Sequence, residues 1–110
     1  NFYTRHYKGV LRLKFTQYRL DELTPTQSLV EQFKLRAVER LELYKEPILC
    51  VENKGKVYLV DGHARALSIL RQGGETIHAL ALFPIVEVHL GISEIPSRLG
   101  LEKLSDVELV

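Results

Sequence analysis

Tyr58-Leu59-Val60-Asp61-Gly62-His63-Ala64-Arg65-Ala66-Leu67 passes from a strand pattern to a helix pattern across two residues. Val57 to Val60 form a short bulky apolar run, the signature of a strand. From His63 to Gln72 the residues Ala66, Leu67, Ile69 and Leu70 supply one buried helical side, and Gly73-Gly74 offers a left-handed stop. The intervening Asp61-Gly62 leaves room only for a direct strand-to-helix junction. Such a junction exposes the unpaired N–H groups of the first helical turn, which attract anions. Gly62 has no Cβ to keep a ligand oxygen away from the main chain, and Arg65 in the first turn can fork onto a phosphate. His63 can donate a hydrogen bond or shuttle a proton, and Asp61 can orient a hydroxyl or hold a metal between phosphate oxygens. Each residue also has a local reading: Asp61 caps the helix, Gly62 permits the turn, and His63 and Arg65 face water.

Upstream, Ile48-Leu49-Cys50-Val51 pairs naturally with Val57–Val60 through Glu52-Asn53-Lys54-Gly55-Lys56, as a hairpin. Before it, Ser28 and Glu31 have capping-box spacing, so a helix is expected from about Leu29 to the stop at Pro47. Its inward stripe is read as Val30, Phe33, Ala37, Leu41 and Tyr44. Leu23-Thr24-Pro25-Thr26-Gln27 reads as a turn, because proline restricts its own backbone and that of Thr24. Leu11, Leu13 and Phe15 alternate with Arg12, Lys14 and Thr16, the period-two pattern of a strand with its charges toward water. Downstream, Ile77–Leu82 and Ile85–Leu90 read as strands separated by Pro84. A short helix over Ser93–Arg98 ends at Gly100, and a last turn lies near Ser105. The fold class is therefore α+β: a mixed β-sheet of about five strands packed with two main helices.

The 110 residues and 45% hydrophobic content suit one domain spanning 1–110, with its core over about 11–90 and a short helix and tail over 91–110. The start at Asn1-Phe2-Tyr3 suggests a piece of a longer polypeptide. No apolar run approaches the roughly 20 residues of a membrane span. The single Cys50 and the lack of a signal pattern point to a reducing, cytoplasmic setting. Net charge is +1, yet residues 1–19 hold Arg5, Lys8, Arg12, Lys14 and Arg19 with no acid. Interleaved with Phe2, Tyr3, Tyr7, Phe15 and Tyr18, this stretch has the makings of a DNA-facing arm; a solvated strand face is the plainer reading. His6, His78 and His89 have no metal-ligand spacing, and no metal site is expected from protein residues alone.

The run Tyr58–Leu67, together with Thr24-Pro25-Thr26-Gln27 and Pro47-Ile48, resembles the ParB/sulfiredoxin-like superfamily, archaeal ParB-like domains in particular. The resemblance covers roughly residues 11–90. It implies that Gly62 and Arg65 sit at a helix start that binds nucleotide phosphates, and that the Thr26-Gln27 loop approaches the ligand. Sulfiredoxins carry a cysteine where His63 stands, so their chemistry is not expected. Bacterial partition ParB proteins have Gly-Glu-Arg-Arg at the corresponding place and add a DNA-binding domain, and this chain departs from both. The ADP-dependent free serine kinases carry Asp-Gly-His, a small residue and Arg, a form matched by Asp61-Gly62-His63-Ala64-Arg65.

The resemblance thus implies a nucleotide- or phosphate-binding domain whose phosphate contacts are Thr26, Gln27, Gly62, His63, Ala64 and Arg65. It further implies phosphoryl transfer to a small hydroxylated substrate, or nucleotide hydrolysis, with ADP, ATP or CTP and Mg²⁺ as ligands. Glu31, Asp61 and His63 are then the catalytic candidates, Glu31 as the base. Glu31 equally suits the capping box. Two readings stand beside this one. The first is a DNA-associated partition or nuclease domain, although the scattered carboxylates argue against a two-metal nuclease. The second is a regulatory or interaction module of a larger protein.

Overall fold

The edge of the sheet is built by Leu11–Arg19 (β1), which pairs antiparallel with Thr76–Pro84 (β6) from Leu11 opposite Pro84 to Arg19 opposite Thr76. The computed structural model describes residues 11–85 and 90–110. Inward from β6 lies Ile48–Asn53 (β4), parallel to it, and then Lys56–Asp61 (β5), antiparallel to β4 across the expected hairpin. Among the described residues the order runs β1-β6-β4-β5 and on to a fifth strand, which confirms a five-stranded mixed sheet. Its fifth member among the described residues lies beyond β5, while the expected strand over Ile85–Leu90 falls on residues 86–89, which lie outside the described residues.

That fifth strand is Leu23–Pro25 (β2), parallel to β5 with Leu23 opposite Val57 and Pro25 opposite Leu59. It replaces the turn that its proline suggests. An edge strand tolerates proline because one side of its ladder needs no N–H, and Leu23 and Pro25 are both fully buried.

The expected capping box is also overturned. Leu29–Val30 (β3) is a short strand parallel to Glu108–Leu109 (β7), and the helix begins only at Gln32 (α1, Gln32–Arg40). The tail supplies main-chain partners that outcompete a local turn. Glu108 donates to the Ser28 carbonyl at 2.8 Å, Val110 to Val30 at 3.0 Å, and Gln32 to Val110 at 2.9 Å. Glu31 is the N-cap residue, without a side-chain cap bond. The helix ends at Arg40, short of Pro47, where Glu42 takes a left-handed φ of 56° and a 3-10 turn over Leu43–Lys45 comes next.

The buried face of α1 also differs from the expected stripe. Leu35 and Val38 point inward, whereas Phe33 and Leu41 are about two-thirds exposed. Likewise in β1, Leu11 and Tyr18 are buried while Leu13 and Phe15 lie open, with Phe15 stacked on His78 at 5.9 Å.

His63–Arg71 (α2) forms as expected and packs on α1. Its buried side is Ala66, Leu67 and Ser68 rather than Leu70, which stays exposed. Glu94–Leu99 (α3) ends at Gly100, and a 3-10 turn over Leu104–Asp106 lies beyond it. Two clusters sandwich the sheet. Tyr18, Leu23, Ile48, Leu59, Leu67 and Ile77 belong to the larger, and Leu11, Val51, Tyr58, Leu82, Leu90 and Ile92 to the smaller. Each fully buried Leu or Ile contributes roughly 1.5–3 kcal/mol. Cys50 is fully buried in the larger cluster, and burial pushes its thiol up to about 12, as suits a core residue. Among the described residues no helix is long and apolar enough to cross a membrane.

Candidate functional site: the strand-to-helix junction

The junction begins with a defect in the ladder. Cys50 faces Leu59 and Leu49 faces Asp61, so Val60 is the extra residue of a bulge. Bulges bend a strand and re-aim the residues beyond them, and they concentrate beside functional sites. Two residues beyond this bulge stands Gly62, at φ 105° and ψ 27°. A Cβ on Gly62 would sit 2.6 Å from Ile48 Cγ2 and 3.1 Å from Ile48 Cβ. Both the conformation and the space therefore demand glycine.

From Gly62 the chain enters α2 at once, and Ala66 donates to the Gly62 carbonyl at 2.9 Å. Gly62 has no side chain to cap the helix, so the N–H groups of the first turn keep the partial positive charge of a helix start. Ala64, partly buried, adds only a methyl group to that turn. Arg65 Nη1 donates to the Pro47 carbonyl at 2.7 Å, and Nη2 lies 3.7 Å from Asp61 Oδ2. The Arg65 side chain is 22% exposed and that of Asp61 74%. One nitrogen thus anchors the guanidinium, while a second faces the Asp61 carboxylate and part of the group remains open to solvent.

His63 is buried at 4% exposure. Its Nε2 accepts from the Thr26 N–H at 3.1 Å, and the Thr26 hydroxyl donates to the Leu59 carbonyl at 2.7 Å. Burial lowers the His63 pKa from 6.5 to about 4, against a smaller opposing effect of Asp61. The imidazole is therefore neutral at neutral pH.

The structure thus brings Thr26, Asp61, Gly62, His63 and Arg65 together. Gln27 is exposed and donates to the Leu29 carbonyl at 2.6 Å, while Glu31 faces Lys34 at 3.9 Å; neither contact joins them to the junction. Pro47 and Ile48 shape the site as much as the motif residues do. The resemblance includes Pro47-Ile48 without giving them a contact, because that contact depends on which residue of β4 lies across from Gly62. Among the described residues no group of three His, Cys, Asp or Glu is arranged to hold a metal ion.

Elsewhere, a groove of about 680 Å³ runs past Glu22, Thr24, Lys56, Tyr58, Ser97 and Glu102, at the opposite end of β5. Two acids against one lysine make it a poor phosphate site. The basic segment is partly neutralised. Lys14 pairs with Glu52 at 2.9 Å and Arg19 with Asp21 at 2.8 Å, and Arg5 and Lys8 lie outside the described residues.

The fold and this junction define an α+β domain with a glycine-started helix at the end of a sheet strand. No family model matches the chain. It is 31% identical over 104 residues to an uncharacterized protein of Methanocaldococcus jannaschii, a match covering 91% of this chain and 39% of that relative. Among solved structures it is similar to protein Atu1540 of Agrobacterium tumefaciens, with a TM-score of 0.58, 20% identity, and coverage of 86% of this chain and 61% of that one. It is also similar to a mutant of free serine kinase in complex with AMP, with a TM-score of 0.53, 22% identity, and coverage of 64% of this chain and 31% of that one. At these identities the likeness establishes the shared fold.

Proposed function

We propose that the chain is a ParB-like nucleotide-binding domain that grips phosphate at the start of α2, through the main-chain amides of residues 62–65 and the side chain of Arg65. The observation that carries this reading is the enforced geometry at Gly62. A left-handed glycine pressed against Ile48 turns the strand into a nine-residue helix with no side-chain cap, beside an anchored guanidinium. Free serine kinase, whose fold the chain shares, has been solved with AMP and with ADP, which supports a nucleotide as the ligand.

The finer reading is phosphoryl transfer to a small hydroxylated acceptor, with Glu31 as base and Asp61 at the phosphates. Glu31 suits that role because its side chain is half exposed and held by no hydrogen bond among the described residues, its one ion pair a loose one to Lys34. Mg²⁺ fits the donor set to a limited extent. Asp61 offers one exposed carboxylate, and this ion commonly takes one or two carboxylates with the rest of its shell from phosphates and water. Bound there, it would neutralise charge between phosphate oxygens.

Calorimetry with ADP, ATP and CTP, with and without Mg²⁺, tests the binding. ADP should give heat, and Arg65→Ala should lose on the order of 1.5–3 kcal/mol of affinity. Absence of heat with every nucleotide would reject the reading. An undiminished affinity in Arg65→Ala would remove the guanidinium from it. For the transfer step, serine and ADP should yield phosphoserine and AMP by phosphorus NMR, and Glu31→Gln should stop turnover while leaving ADP binding intact.

A further inference from the structure

Thr26 has two donors, and both are spent inside the protein: its amide on His63 Nε2 and its hydroxyl on the Leu59 carbonyl. An amide N–H only donates, so Nε2 must be the bare nitrogen of the imidazole. The ring proton of the neutral form therefore sits on Nδ1. That atom is buried with no hydrogen-bond partner among the described residues.

The pairing is a poor bargain for stability alone. An apolar residue at this position would strand the Thr26 N–H, whereas histidine satisfies it and strands its own Nδ1–H instead. What histidine adds is direction. Its ring spans from the first position of α2 to the loop after β2 and fixes one against the other. We propose that His63 is a positioning residue: a neutral imidazole with its proton on Nδ1 that clamps the Thr26 loop to the start of α2, and so sets where Gln27 stands relative to the amides of residues 62–65. In this assignment Thr26 is the fastener of the loop and not a phosphate donor, because both of its donors are engaged within the protein. The role toward ligand rests on the nucleotide reading above; the clamp itself does not.

The test uses the 110-residue chain and two substitutions. Long-range proton–nitrogen correlation NMR of the histidine side chains should show His63 at pH 7 as the Nδ1–H tautomer. Hydrogen exchange at the Thr26 amide should be slowed at least about 100-fold relative to an open chain. His63→Gln, whose side-chain oxygen can take the acceptor's place, should keep that protection and bind ADP within about threefold of the parent. His63→Leu should lose about tenfold in both. An Nε2–H or doubly protonated ring, or an unprotected Thr26 amide in the parent chain, overturns the clamp whatever ADP does. Equal ADP affinity in the Gln and Leu variants overturns the positioning role. A protected amide and an Nδ1–H ring in a chain that gives no heat with ADP keep the clamp and remove the nucleotide reading.

Discussion

Gly62→Ala is the sharpest test of the junction, because the structure separates the two ways in which it should hurt. The first is conformational. An L-residue held at positive φ loses roughly 1–2 kcal/mol, partly offset by about 0.4–1 kcal/mol from a stiffer unfolded chain. Gly73 has a φ of 81° and nothing within 4 Å of a built Cβ, so Gly73→Ala feels only this part, about 0–1.5 kcal/mol. The second is steric. At Gly62 the new methyl lands 2.6 Å from Ile48 Cγ2, and Ile48 is 1% exposed with nowhere to retreat. Overpacking of this kind adds about 1–3 kcal/mol. Urea denaturation monitored by circular dichroism should therefore rank Gly62→Ala below Gly73→Ala by that margin. Ile48→Val gives no relief, since valine keeps both the Cβ and a Cγ2. Ile48→Ala removes the Cγ2, so its double mutant with Gly62→Ala should cost less than the sum of the singles by about 1–2 kcal/mol. Equal costs at positions 62 and 73, or strict additivity with Ile48→Ala, would refute the packing argument.

Other parts of the molecule give three further expected outcomes. His63 has a folded-state pKa of about 4 against 6.5 unfolded, so below pH 6.5 the unfolded chain takes up a proton that the folded chain refuses. Stability is complete above pH 6.5 and declines by on the order of 3 kcal/mol as pH falls to 4; His63→Gln should flatten that slope in pH-dependent denaturation, and identical slopes would contradict the burial of the ring. Glu108→Pro removes the N–H that bonds Ser28 across β3 and β7, and should lower the unfolding free energy by about 1–3 kcal/mol; a loss under about 0.5 kcal/mol would mean the tail does not hold the start of α1. Asp61→Asn removes a negative charge 3.7 Å from Arg65, so without Mg²⁺ the affinity for ADP should rise by about 0.5–1 kcal/mol in calorimetry, and the gain from adding Mg²⁺ should shrink. An unchanged Mg²⁺ effect would place the carboxylate away from the phosphates.

The junction was legible in the sequence because a strand pattern and a helix pattern meet there with only Asp61-Gly62 between them, and few backbones satisfy that transition. The hairpin and the glycine-stopped ends of α2 and α3 were legible for the same local reason. What escaped was decided at a distance. Leu23–Pro25 looks like a turn until β5 lies beside it, since an edge position excuses the proline. Ser28 and Glu31 have the right spacing for a cap, yet the tail at residues 108–110 claims the same stretch as a strand. In α1 the apolar residues permit more than one helical stripe. Packing against α2 and the core selects Leu35 and Val38 and leaves Phe33 and Leu41 in water. Nothing local to Arg65 names Pro47 as its anchor, and nothing near Gly62 names Ile48 as its wall.

These distant contacts have a common consequence at the site. Thr26 and His63 are committed to each other, and one arm of Arg65 is committed to Pro47. Under the proposed function, what a nucleotide would meet is the set of amides opening α2, the Arg65 N–H groups not turned to Pro47 and the exposed Asp61 carboxylate. All but the last are donors, and the Pro47 carbonyl already fixes one arm of the guanidinium, so little reorganisation would be needed to meet an anion there. The one acceptor among them, Asp61, faces the same space with the opposite sign. A ligand that satisfies both must carry negative charge for the amides and a cation or a donor for the carboxylate. Under the proposed function, a metal-bound nucleotide meets that requirement with its phosphates toward the amides and its cation toward Asp61.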